Sequence, residues 1–170
     1  MVGRSRLRPA PAGAAKIGSV QISAKTDYAV RALLILASRA PELIKVEALA
    51  AQQGLPRKFV EAILSELRRA GLVRSQRGAE GGYALARPAD EITIGAVIRV
   101  VDGPLAEVRG LRPHETEYTG VAEHLPDVWV AMRAALRHVL DETTLHDVLT
   151  GKLPPHVTKM AQSPEAWLSR

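Results

Sequence analysis

A mainly α-helical fold carrying one β-hairpin is what this chain predicts, on three observations. Apolar residues recur at helical spacing in successive segments from Ser23 onward. A glycine-rich stretch, "SQRGAEGGYALARP", interrupts that pattern and joins two short extended runs. The chain has 170 residues, of which 46% are hydrophobic, enough to bury one proper core with appendages. No window approaches the roughly 18 uninterrupted apolar residues of a membrane span. The N-terminus is basic but lacks the apolar run of a secretory signal, so a cytoplasmic protein is expected.

Each element has its own signal. Residues 1–20 mix Arg, Pro, Ala and Gly without a period and read as a disordered basic extension; the alternative is that natural translation starts near Val20. Ser23 suits the N-cap of a helix reaching about Ser38, with Tyr28, Ala32, Leu33, Ile35 and Leu36 as its apolar face. Pro41 ends that segment. Val46 to Gln53 forms a short second helix. A third runs from Pro56 to Ala70, with Phe59, Val60, Ile63, Leu64 and Leu67 facing inward and Gly71 just past its end. Strands follow at about 72–76 and 82–86. Thr93 caps a helix ending near Val101. Residues 103–125 show no clear period and read as a variable loop. Pro126 to Glu142 is the longest helical pattern, and Thr144 with Asp147 opens a short helix after it in a capping-box arrangement. Residues 154–170 read as a loose tail.

The order helix, turn, helix, hairpin is that of a winged helix-turn-helix, a three-helix core plus a two-stranded wing. In "VEALAAQQGLPRKFVEAILSEL", Ala50 is small enough for a helix crossing, and Gly54 supplies a turn needing φ > 0. Leu55, Val60 and Ile63 anchor the second helix. Arg57 and Lys58 then sit in the first turn of a recognition helix, the part that enters a DNA major groove. Arg57 suits a guanine edge and Lys58 a phosphate. Glu61 either accepts from a cytosine or orients Arg57 one turn away, and the second reading is favoured. In the wing, Gly78, Gly81 and Gly82 make a tip without side chains that approaches a sugar–phosphate wall, Arg77 suits the minor groove, and Arg74 and Arg87 suit phosphates. Tyr83 packs under the hairpin.

Charge agrees with an anionic partner for one half. Residues 1–20 and 21–90 each carry +4, and residues 91–170 carry −3. There are no cysteines, which excludes disulfides, thiol nucleophiles, thiolate zinc sites and a cluster held by several cysteines. Neither a nucleophile elbow nor an HExxH pattern is present, so no enzyme, no metal and no cofactor are expected.

Three stretches together, "QISAKTDYAVRALL", "GLPRKFVEAILSELRRAGLVRSQRGAEGGYALARP" and "ITIGAVIRVVDGPL", resemble the Rrf-two (BadM) family of bacterial winged-helix transcription regulators over roughly 21–150. The resemblance implies a DNA-binding homodimer reading a pseudo-palindrome, with a long C-terminal helix at the dimer interface. It places Arg57 and Lys58 at the DNA-facing start of the recognition helix, Arg77 and the three glycines on the wing, and Lys25 near the DNA backbone. Cluster-binding members carry three cysteines between the "VVDGPL" helix and the long helix. The corresponding "AEVRGLRPHETEYTGVAEHL" has none.

That loop instead holds His114, Glu117, Tyr118 and His124, whose chemistry suits a metal or pH response but whose spacing matches no known ligand set. The long helix presents Val128, Met132, Ala135, Leu136 and Val139 on one face, widened by Trp129 beyond what a small winged helix covers. The simplest cover is a second copy. The organisation expected is therefore 21–102 winged helix, 103–125 loop, 126–153 dimerisation helix plus a short helix, and 154–170 tail. The function expected is a sequence-specific transcription regulator of repressor type that binds double-stranded DNA. The alternatives are a winged helix used as a protein-interaction module, or a regulator controlled by an effector bound near 103–125.

Overall fold

Chain order and packing are described for residues 22–168 of the computed structural model. The basic extension expected at 1–20 lies outside the described residues. Helix α1 (Ala24–Ser38) starts where Ser23 accepts a hydrogen bond from the Thr26 amide at 3.0 Å. Helix α2 (Val46–Gln53) stops at Gly54, whose φ of 64° lets its own N–H turn back onto the α2 carbonyls. Helix α3 (Arg57–Arg69) follows, with Pro56 as its N-cap. Strands β1 (Val73–Gln76) and β2 (Gly82–Leu85) pair antiparallel, Val73 opposite Leu85 and Gln76 opposite Gly82. Ile44 adds a one-residue third strand, exchanging two 2.8 Å backbone bonds with Tyr83. The hairpin is thus braced from the far end of the helix-turn-helix.

The core is one cluster. Leu33 and Leu36 of α1, Leu49 of α2 and Ile63, Leu64 and Leu67 of α3 meet with Leu72 and Val73 at the base of the wing. Helix α4 (Ile94–Val101), capped by Thr93, closes it with Val97. Asp102 then ties the end of α4 to the start of α1, accepting from Ser23 Oγ and Thr26 Oγ1 at 2.7 Å each. Burial opposes its charge, yet those hydroxyls and nearby Lys25 outweigh it and hold its carboxyl below the usual range.

Helix α5 (Leu125–Leu140) leaves this body, and helix α6 (Leu145–Thr150) returns to it. The Thr144 capping box forms as expected, but α6 is no appendage of α5. Leu145 is fully buried in the winged-helix core, and Ile94 and Leu145 bond across to Thr143 and Ile92 at 2.9 Å. Two further expectations are corrected. Residues 103–125 are not featureless. Arg109 and Gly110, at φ 55° and 77°, turn a two-residue hairpin between Val108 and Leu111, and 3-10 turns form at Pro113–Glu115 and Gly120–Ala122. Nor are residues 154–168 loose: helix α7 (Pro155–Gln162) and a 3-10 turn (Pro164–Trp167) occupy them. Pro155 and Pro164 each open one of these elements, where a proline loses no helical bond and presets φ.

Candidate nucleic-acid interface

Helix α3 buries Val60, Ile63, Leu64 and Leu67 and turns its charged face outward. Arg57 and Lys58 occupy its first turn, where the helix dipole disfavours positive charge and no acidic residue offsets it. Arg57 is instead held from outside that turn. Its Nε meets Glu61 Oε1 at 2.9 Å and its Nη1 meets Glu47 of α2 at 3.0 Å. The orienting role expected of Glu61 is therefore formed, and Glu47 is a partner that sequence reasoning missed. Arg57 and Glu47 are largely exposed and Glu61 is partly exposed, so the pairs are weak and exchangeable. An anion arriving at this end of α3 meets a dipole and two cations already pointing outward.

The wing stands beside this face. Arg57 and Glu61 of α3, Gln76, Arg77 and Gly78 of the wing, and Lys45 line one groove of about 440 Å3. Arg68, in the last turn of α3, lies in the same groove and donates to Ser75 Oγ at 3.2 Å, fixing the wing against the helix. Arg68 was not singled out from the sequence, although it continues the stripe of Arg57, Glu61 and Ser65 by one more turn. Lys58, Arg74 and Arg87 are exposed but do not line the groove. Lys25 is committed within the chain, both Glu66 oxygens lying 2.7–2.8 Å from its Nζ.

The three wing glycines divide. Gly78, at φ 107°, faces open space and serves as the tip. Gly81 and Gly82 are small for internal reasons: a Cβ on Gly81 would strike the Gln76 carbonyl, and one on Gly82 would sit 2.8 Å from the Ile44 carbonyl. Both also line the groove of Arg57 and Arg77. Tyr83 packs at the edge of the core, as expected.

Around 103–125 the expected effector residues each have their own surroundings. The His114 ring accepts from Arg133 at 3.2 Å, Tyr118 lies under the Arg109 guanidinium, Glu117 is exposed, and His124 stands in solvent beside Glu123. None of them belongs to a three-ligand cluster among the described residues. The nearby recess is lined by Arg99, Arg112 and Arg133, a setting for anions rather than cations. With no cysteine in the chain, and His114 bound to an arginine, this region does not fit an iron–sulfur cluster.

Helix α5 has no buried residue over its 16 positions. Val128 is 56% exposed, Met132, Leu136 and Val139 are half-covered, and Ala135 is open. The Trp129 indole N–H is shielded from solvent without a hydrogen-bond partner. Arg99 of α4 fastens the helix's end to the body through a two-bond pair with Asp141 at 2.7 and 2.8 Å. That pair, against a smaller burial effect and helped by Arg137, lowers the Asp141 carboxyl below its ordinary value. No helix among the described residues is long and apolar enough to cross a membrane.

Comparison with known proteins agrees with this arrangement. Residues 22–151 match the Rrf2 family, described as "Iron-dependent Transcriptional regulator". A Mycobacterium tuberculosis protein named as an HTH-type transcriptional regulator, Rv1287, is 51% identical over 143 residues, covering 84% of this chain and 89% of the relative. The HTH-type transcriptional regulator CymR of Bacillus subtilis is 36% identical over 130 residues, covering 76% and 89%. The solved structure of that CymR, titled the global cysteine regulator, superposes with a TM-score of 0.66 at 34% identity, covering 78% of this chain and 98% of that one. IscR of T. potens gives a TM-score of 0.62 at 30% identity, covering 88% and 93%. With a winged helix-turn-helix matched in both sequence and fold, the chain belongs to the Rrf2 family of transcriptional regulators, and it is not an enzyme.

Proposed function

We propose that this regulator binds operator DNA as a homodimer and acts as a repressor, with α3 in the major groove and the wing against the neighbouring minor groove. The observation that carries the reading is the shared groove of Arg57 and Arg77, which lets both cations meet one duplex. Arg57 reads a base edge after exchanging Glu47 and Glu61 for DNA, while Lys58, Arg74 and Arg77 neutralise phosphates or enter the minor groove. Lys25 contributes only if DNA competes it away from Glu66. The uncovered faces of α5 pair about a two-fold axis through Val128, Trp129, Met132, Ala135, Leu136 and Val139, so that the operator is a pseudo-palindrome. Such a dimer works in the cytoplasm on chromosomal DNA. The cysteine-free loop makes its signal independent of a cysteine-held cluster.

A salt titration of binding to the protein's own promoter fragment tests this. Affinity should fall log-linearly with salt, with a slope of about −0.9 per neutralised phosphate. Arg77→Ala should reduce that slope by about one phosphate. A salt-insensitive midpoint, or a single-chain mass at working concentration in sedimentation, would overturn the reading.

A further inference from the structure

His138, Glu142 and His156 lie far from the groove of Arg57 and Arg77 in the chain and have no part in that reading. His138 is in the last turn of α5, Glu142 lies two residues past its end, and His156 is the second residue of α7. The His138 Nδ1 donates to Glu142 Oε1 at 2.7 Å, and the other Glu142 oxygen lies 3.6 Å from His156 Nε2. His156 Nε2 donates to the His138 carbonyl at 2.8 Å. The two rings stack face to face, 3.9 Å between centroids and 17° between planes. One ligand atom from each of the three side chains falls within 4.8 Å of the others. They are the one such group of imidazole and carboxylate side chains among the described residues.

We propose that these three side chains form a binding site for a borderline divalent transition-metal ion of the zinc class, which clamps α7 to the end of α5. Two imidazoles and one carboxylate make a donor set that such ions prefer, and water completes the coordination. Metal–nitrogen and metal–oxygen bonds of about 2.0–2.2 Å place tetrahedral donors roughly 3.3 Å apart, so the group contracts by up to about 1.5 Å. Side-chain rotation supplies that, because His138 and Glu142 are each about half exposed, at 54% and 53%. Each neutral ring shifts its proton to its other nitrogen and presents the freed lone pair. The carboxylate offsets one of the two positive charges. Arg137, the nearest cation along α5, is turned away onto Asp141 at 3.2 Å and does not oppose the ion. Helix α7 buries no residue of its own, so a bond through His156 adds an anchor that packing does not provide.

The test is a titration of the tag-free, full-length chain with cobalt(II), read by its visible ligand-field absorption and then by displacement with zinc(II). One equivalent per chain is expected. His156→Ala and Glu142→Gln should each weaken binding at least about tenfold, while His124→Ala leaves it unchanged. These positions are at the surface, so matching circular dichroism of the metal-free variants checks their folding. In the unmodified chain, zinc should shift the ring-nitrogen resonances of His138 and His156 and leave those of His114, His124 and His146 in place. No cobalt uptake at micromolar concentration, uptake unaffected by the His156 and Glu142 changes, or ring shifts at the other histidines would each overturn the assignment.

Discussion

Helices α3 and α5 each carry an aliphatic stripe, yet they solve opposite problems. Helix α3 buries four of its side chains completely or nearly so within its own domain, which leaves its charged face free to be shaped for a partner. Helix α5 buries none, although Val128, Val130, Leu136 and Val139 would suit a core. The first is an element whose stability is settled within one chain. The second is fastened at its C-terminal end by Arg99 with Asp141, and its apolar middle is only partly covered. An apolar stripe read from sequence therefore does not say whether its cover lies in the same chain.

Substitution sharpens this contrast most strongly in the core. Leu64→Ala in α3 should cost about 2–5 kcal/mol in urea unfolding, because the fully buried site cannot collapse around the lost atoms. Val128→Asp in α5 should change the stability of the isolated chain by no more than about 0.5 kcal/mol. It should instead move the sedimentation coefficient from dimer to monomer. Equal effects of the two on unfolding, with an unchanged mass, would break the comparison.

The junction between the two regions comes next. A Cβ on Gly95 would collide with the Asp141 carboxylate, so Gly95→Ala should break the Arg99 pair and lower stability by about 1–3 kcal/mol. Asp141→Ala should cost a similar amount, and the double variant should cost clearly less than the sum, since both remove one contact. Additivity in thermal unfolding would count against that contact.

Smaller effects belong to the outward face of α3. Arg57→Ala should weaken operator binding by about 1–3 kcal/mol, the discrimination carried by one bidentate base contact. Glu47→Gln should strengthen it, by up to about 1 kcal/mol, because an exposed competitor for Arg57 is removed. Fluorescence anisotropy at fixed salt distinguishes the two signs. The least effect is that of pH on the α4–α5 tie. The Asp141 carboxyl titrates below its unfolded value, so its contribution is complete above about pH 4 and is lost as pH falls through the lowered folded value. Carboxylate NMR titration should show Asp141 protonating below exposed carboxylates, and Asn at 141 should remove that part of the acid dependence.

Much of this was legible from residue order alone. Ser23, Thr93 and Thr144 were readable as caps because a capping hydroxyl acts within its own turn. Gly54 was readable for the same reason, since a left-handed residue ends a helix locally. The i,i+4 contact of Arg57 with Glu61 follows from helical pitch. What was missed lies across the chain or against habit. Glu47 reaches Arg57 from another helix, and Gly82 is small because Ile44, 38 positions earlier, passes beside it. His138 and Glu142 carried a readable one-turn spacing, but nothing in the order of residues brings His156 to them. The loop histidines drew attention by being near one another in sequence, and the fold places neither in a three-ligand group among the described residues.

The sequence by itself determined helices α1 to α6, the hairpin, their order and the absence of any thiol chemistry, because caps, periodicity and turns act over a few residues. Tertiary structure alone decided that α6 returns to the core, that two wing glycines have no room for a Cβ, and that Arg57, Arg68 and Arg77 share a groove. Those outcomes depend on which distant backbones pass within van der Waals reach, and that is set by how the whole core packs.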